Sequence, residues 1–174
     1  MKKYFLLFCV SLFLLSCKKK CIVVEDFMLA ESEYTILPFS ENKYYIFKDV
    51  KEATLSDKEL IEIEVLFQKM VTEHNERQVK WLAKHNKENP KNQWEKTGYE
   101  LETKGFKRQY LPVINEKGEK EVWINFFCND PKDVSWKTEI YDSGMADGGN
   151  CFYRLKINLA TKQVYHLFID SHSP

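Results

Sequence analysis

The spacing of hydrophobic positions changes character along this chain. From Tyr4 to Leu15 they are contiguous, broken only by Ser11, and the run follows Met1-Lys2-Lys3. Tyr44 to Val50 is aromatic and β-branched and reads as a strand after the Ser40-Glu41-Asn42 turn. Ser56-Asp57-Lys58-Glu59 then sets Ser as an N-cap with Glu three residues on, a capping box. In the helix that it opens, Leu60, Ile63, Phe67, Met70 and Val71 fall on one arc, with Leu66 at its edge. Glu62, Lys69, Glu73, Glu76 and Lys80 lie opposite. Helical character runs on to Lys87, before Asn89-Pro90. At ~1.5 Å per residue that is ~50 Å, about twice the width of a four- or five-strand sheet. The second half, with Trp81 and Leu82, must therefore overhang, bend or form a second helix. The polar run Thr72 to Gln78 marks the place.

Beyond Trp94 and Gly98 the period becomes two. Gly105 to Ile114, the turn Asn115-Glu116-Lys117-Gly118 and Glu119 to Cys128 predict a hairpin, with Pro112 near an edge or a bulge. Asn129-Asp130-Pro131 ends the pair. Trp136 to Tyr141 reads as a further short strand, followed by the Asp147-Gly148-Gly149-Asn150 turn. Cys151 to Leu159 alternates, with Cys151, Tyr153, Leu155, Ile157 and Leu159 on one face and Arg154, Lys156 and Asn158 on the other. A turn at Ala160 to Gln163 leads to the last strand, Val164 to Ile169. This order predicts an α+β domain over residues 34–174. A long helix packs across a curved antiparallel sheet of about five strands, an arrangement similar to the cystatin-like or NTF2-like order.

Composition alters this picture at one end only. The 174 residues carry 26 basic and 26 acidic side chains, and that balance excludes a nucleic-acid binder working by bulk charge. The first residues break the balance, with Lys2 and Lys3, no acid and the apolar run. That run falls short of the ~20 residues a membrane-spanning helix needs and has the length of a signal-peptide core. Leu14-Leu15-Ser16-Cys17 resembles the lipobox of bacterial lipoproteins. The resemblance implies that residues 1–16 are removed, that Cys17 carries the lipid, and that residues 17–33 form the tether. The partner implied is the membrane, through an acyl anchor in the cell envelope. Lys18 after the lipidated Cys favours the outer membrane, facing either the periplasm or the surface. Ile22-Val23-Val24 and Phe27-Met28-Leu29 are too apolar for a pure linker and are expected to pack on the domain.

Cys128 and Cys151 share the buried face of their strands by parity. They either form a disulfide, which an exported protein permits, or remain two buried thiols. Cys21 is left on the tether. A nucleophile pairing either strand cysteine with His166 conflicts with their inward position. His74 and His85 are three helical turns apart, ~16 Å, which is too far for one metal. Asp147-Gly148-Gly149-Asn150 reads as a turn rather than a cation loop. No phosphate-loop, zinc-protease or serine-hydrolase motif occurs, and no cofactor is expected. On the second face of the sheet Trp123, Asn125 and Phe127 point away from Ile124 and Phe126, and Phe152 away from Tyr153. Trp123, Phe127 and Phe152 either form a patch for a partner or lie under residues 22–40.

Val122-Trp123-Ile124-Asn125-Phe126-Phe127-Cys128, Trp136-Lys137, Asp147-Gly148-Gly149-Asn150-Cys151-Phe152-Tyr153 and Ile157-Asn158-Leu159 resemble a family of small Bacteroidetes-type lipoproteins. The lipobox fits that family, and the resemblance brings no activity or site with it. Together these features point to a non-enzymatic envelope lipoprotein whose domain binds another molecule, inhibitor- or immunity-like in one version. The competing expectation is an envelope hydrolase with a pocket between helix and sheet near His74.

Overall fold

The computed structural model describes residues 27, 29–40, 45–128, 134–142 and 149–170. The signal run, Cys17, Cys21, Ile22-Val23-Val24, Asn129-Asp130-Pro131 and Asp147-Gly148 lie outside them. Among the described residues the order is β1 (Tyr34–Ile36), β2 (Lys51–Glu52), α1 (Asp57–Glu88), β3 (Lys107–Ile114), β4 (Lys120–Phe127), β5 (Phe152–Asn158) and β6 (Gln163–Ile169). One long helix packs on an open six-strand sheet, the expected α+β arrangement.

Ser56 caps α1 as its sequence requires. Its hydroxyl accepts from the Glu59 amide, and the Glu59 carboxylate accepts from the Ser56 amide at 2.9 Å. Ile63, Phe67 and Val71 are buried against Val122, Ile124 and Phe126 of β4 and Tyr153, Leu155 and Ile157 of β5. Leu60, Leu66 and Met70 flank them, half-buried. The helix neither bends into two nor ends at the polar run; it overhangs. That run is the means. The His74 ring meets the Tyr99 carbonyl at 2.8 Å through Nε2. Asn75 donates to the Leu101 carbonyl at 2.8 Å and accepts from its amide at 2.9 Å. Gln78 accepts from the Thr97 hydroxyl, and Asn86 holds both backbone groups of Trp94. The returning segment is thus fastened to the free half of α1 by side chains that an apolar stripe would not contain. Beyond it, His85, Trp81 and Trp94 form a three-ring cluster, with His85 5.2 and 4.0 Å from the two indoles and the indoles 5.5 Å from each other.

The sheet departs from the predicted one at its first edge. β3, β4, β5 and β6 are successive antiparallel neighbours, but β1 runs parallel to β3. β2 pairs antiparallel with the same edge of β3 further along, at Val113 and Ile114. The sheet is therefore mixed and six-stranded, not an antiparallel sheet of five. The amide of Arg108 and the carbonyl of Tyr110 both bond toward this edge, to Glu33 and Leu37. Pro112 follows in the same alternation, so its missing N–H faces the gap between β1 and β2. That is the edge position its chemistry demands.

Between β1 and β2, Leu37, Phe39, Ile46, Phe47 and Val50 pack on the outer face of the sheet against Leu111, Val113 and Trp123. Residues 45–50 form turns and bends instead of the predicted strand, yet Ile46 and Phe47 are still buried. Trp136 likewise sits in a single 3-10 turn, Ser135–Lys137, and not in a strand. Cys128 follows the last residue of β4, Cys151 precedes β5, and the two form a disulfide with Cα atoms 5.1 Å apart. Parity brought them together, but Cys128 is exposed because it lies one residue beyond the last core pair, Phe127 and Phe152.

Candidate functional site

The outer face is built by alternation. Trp123, Asn125 and Phe127 on β4 stand beside Lys156, Arg154 and Phe152 on β5. The expected aromatic patch is largely covered by the chain itself. Phe127 is fully buried under Trp136 and Tyr141, with ring centroids 5.6 and 4.6 Å away. Trp123 is 6% exposed and packs with Leu37, Ile46 and Phe47. Phe152 is half-buried and stacks on Tyr141. Phe127 therefore does not stand on a free partner surface. Among the described residues the cover comes from Leu37, Phe39, Ile46, Phe47 and Val50 and from residues 134–142, so Leu37 and Phe39 are the described members of the 22–40 segment that serve as expected.

Two amides on the sheet hold the second part of that cover in place. Gln109 donates to the carbonyls of Trp136 and Glu139, both at 2.6 Å, and its oxygen accepts from the Tyr141 amide at 2.8 Å. Asn125 donates to Gln109 at 3.0 Å and to the Tyr141 carbonyl at 2.9 Å.

What the cover leaves open is a cleft of about 330 Å³ lined by Tyr45, Ile46, Trp123, Arg154, Lys156, His166 and Phe168. Its volume lies at the lower end of the ~300–1,000 Å³ range of small-molecule sites. Trp123 lines the buried part, while Tyr45 and Phe168 are 70% and 52% exposed at the rim. The Arg154 guanidinium lies over the Phe168 ring, 5.0 Å from its centroid. Lys156 is tied down: its ammonium donates to the Ile46 carbonyl at 2.6 Å and sits 4.3 Å from the Phe47 ring. Burial pushes its pKa below the usual lysine value, and Glu121 partly opposes the shift.

His166 reaches this cleft through an irregularity in β6. Arg154 pairs with Phe168 and Lys156 with Tyr165, so three steps on β6 oppose two on β5. His166 occupies the extra position with φ +51, left-handed backbone that a residue other than Gly adopts rarely.

A second cavity, about 200 Å³, opens between α1 and the start of β3, lined by Phe27, Leu29, Glu33, Glu64, Gln68, Thr103, Lys104, Gly105 and Arg108. Its wall holds a buried ion pair, with Arg108 Nε 3.1 Å from Glu64 Oε1. The Nε–H does not point along that line, so the contact is electrostatic rather than a hydrogen bond. The Tyr110 hydroxyl donates to the same oxygen at 2.7 Å. Arg108 also donates to the Phe106 and Thr103 carbonyls, at 2.9 and 2.8 Å. Burial pushes the Glu64 carboxyl above the ordinary carboxylate value, and Arg108 and Tyr110 only partly offset it. A pocket between helix and sheet thus exists, but it lies beside Glu64. The His74 ring itself is buried and its Nε2 is engaged by the Tyr99 carbonyl.

Cys128 and Cys151 are bonded to each other, which removes them as nucleophiles for His166. Among the described residues no cluster of His, Cys, Asp and Glu has metal-site geometry, and no helix is long and apolar enough to cross a membrane. Cys17 lies outside the described residues. Sequence reasoning placed Arg154 and Lys156 on the outer face but gave them no role. It weighed His166 only as a partner for a strand cysteine and missed Tyr45 and Phe168; the convergence of all three depends on the crossing segment and the β6 irregularity. The site belongs to an α+β domain with one sheet face under a helix and the other under loops. No protein-family model, curated protein or solved structure matches the chain.

Proposed function

We propose that this chain is an acyl-anchored lipoprotein of the cell envelope whose α+β domain binds another molecule at the outer-face cleft. The observation that carries the anchor is Leu14-Leu15-Ser16-Cys17 at the end of an apolar run that begins behind Lys2 and Lys3. Each buried CH₂ of an acyl chain contributes ~0.8 kcal/mol, so two or more chains on Cys17 hold the protein at a membrane. The Cys128–Cys151 bond suits an oxidising, exported location. The likeness of the C-terminal third to small Bacteroidetes-type lipoproteins supports the same address, and Lys18 favours the outer membrane. Binding is favoured over chemistry by the cleft, where anchored cations and aromatic rings converge.

Metabolic labelling with an alkyne fatty acid tests the anchor. Label on the wild-type chain, lost in Cys17→Ser together with signal cleavage, is the expected result. An unlabelled wild-type chain recovered from the soluble fraction refutes it. A second reading, an envelope hydrolase working in the cavity beside α1, is favoured by Glu64, a buried carboxyl held above its ordinary pKa at a cavity wall. Hydrolysis of chromogenic esters or glycosides that Glu64→Gln abolishes would support it. A wild-type chain inert toward both would remove it.

A further inference from the structure

We infer that the outer-face cleft recognises a small aromatic carboxylate, an assignment that rests on the binding reading above and names its ligand class. None of the described residues lining the cleft is acidic, while Arg154 and Lys156 are cationic and His166 stands beside them. The two cations differ in what they have left to give. Lys156 spends a donor on the Ile46 carbonyl and sets the local positive field. Among the described residues no carboxylate lies within ion-pair distance of Arg154. Among the described residues its guanidinium contacts the face of Phe168. A guanidinium stacked on a ring keeps its donor edge open, and that edge matches the two oxygens of a carboxylate.

The rest of the cleft sets the body of the ligand. Trp123, Tyr45 and Phe168 present aromatic surface, and Ile46 adds an apolar floor. A flat ring therefore replaces water at apolar contacts while its carboxylate meets Arg154. The volume, about 330 Å³, has room for one or two fused rings. The left-handed residue at His166 belongs to this assignment as well. Backbone strain of that kind persists where a side chain is needed in one place, and this one lies on the cleft wall.

The test uses the full-length protein in lipid nanodiscs, with empty nanodiscs as the blank. Three probes share one ring system: 2-naphthoate, 2-naphthylmethanol and 2-naphthylmethylammonium. Binding is followed by the indole N–H signal of Trp123. Saturable binding of 2-naphthoate is expected, with the alcohol and the ammonium at least tenfold weaker. Arg154→Gln should weaken 2-naphthoate about tenfold, ~1.4 kcal/mol, and leave the alcohol unchanged. Arg154→Lys, which keeps the charge but not the fork, should recover only part of that loss. Equal binding of all three probes, or no effect of Arg154→Gln, overturns the carboxylate assignment and leaves the cleft standing as a binding site. Failure of every probe to move the Trp123 signal up to ~10 mM overturns both.

Discussion

Arg108→Met tests how the helix is seated on the sheet. The substitution keeps an unbranched stem against Phe67 and Phe126, whose ring centroids lie 5.8 and 5.4 Å from the guanidinium carbon. It removes the charge 3.1 Å from Glu64 and the donors to the Thr103 and Phe106 carbonyls. Glu64 would remain buried with the Tyr110 hydroxyl as its polar partner. Breaking one side of a buried ion pair costs about 3–5 kcal/mol, because the remaining charge has neither water nor counter-ion.

The cost should depend on pH in a defined direction. Burial already holds the Glu64 carboxyl above its ordinary value, with Arg108 as the largest opposing influence. A carboxyl raised on folding contributes stability that is fully present below its unfolded pKa, ~4.3, and is lost as pH rises through the folded value. Without Arg108 the folded value climbs further, so more stability is lost on the way to neutral pH, at up to ~1.4 kcal/mol per pH unit. Urea titrations followed by circular dichroism at pH 5 and pH 7.5 should therefore show Arg108→Met closer to wild type at pH 5. The double variant Glu64→Met/Arg108→Met should recover most of the loss at pH 7.5, since an apolar pair replaces a buried ion pair at little cost. It should still fall short by about 1–2 kcal/mol for the two carbonyl bonds. A single variant within ~1 kcal/mol of wild type at both pH values would refute the reasoning. So would a double variant whose loss equals the sum of the two singles.

Replacing Cys128 and Cys151 by Ser opens a loop of sequence separation 23 and should lower the unfolding free energy by ~3 kcal/mol. Equal urea midpoints with and without reductant would contradict the bond. Asn75→Ala removes both side-chain bonds to Leu101 and should cost about 1–2 kcal/mol. Amide exchange should quicken at Leu101 and stay unchanged at Trp94, which Asn86 holds; equal acceleration at both would mean that the overhang is not fastened piece by piece. His166→Asn, a residue that tolerates left-handed backbone, should remain within ~0.5 kcal/mol of wild type, whereas His166→Val should cost about 1–2 kcal/mol. The reverse order in thermal melts would rule out the left-handed position.

Local rules made the regular parts of this fold legible. Ser56 and Glu59 announced the start of α1, and Ile63, Phe67 and Val71 its buried stripe. Asn115 to Gly118 announced the β3–β4 turn, where Gly118 has φ +78. The parity of Cys128 and Cys151 put them opposite each other, and the outward set on β4 and β5 was read residue by residue. What failed was long-range. Tyr44 to Val50 has the composition of a strand because Ile46 and Phe47 are buried, but they are buried by lying across a sheet, not by joining it. Nothing local reveals that Gln109 and Asn125, polar residues inside strands, reach out to bind Trp136, Glu139 and Tyr141. The cleft is the space between the Tyr45-Ile46 crossing segment and the outer faces of β4, β5 and β6, so its outline was beyond a one-dimensional reading.

One trace of the site was nonetheless present in the pattern. Val164, Leu167 and Ile169 all pack on the helix side of the sheet. A regular strand that sends Val164 inward would send Leu167 and Ile169 outward and turn Phe168 into the core. The interval of three between Val164 and Leu167 therefore requires one extra residue, and His166 is that residue. The same insertion accounts for two properties at once. It returns Phe168 to the outer face, where it backs Arg154 at the cleft. It also kinks a strand that, among the described residues, pairs only with β5 and has its far side open. A flat, open edge invites pairing with another chain, and a bulge at such an edge resists it. The irregularity at His166 is therefore consistent with both demands, a shaped cleft and a protected edge, and a straight β6 would meet neither.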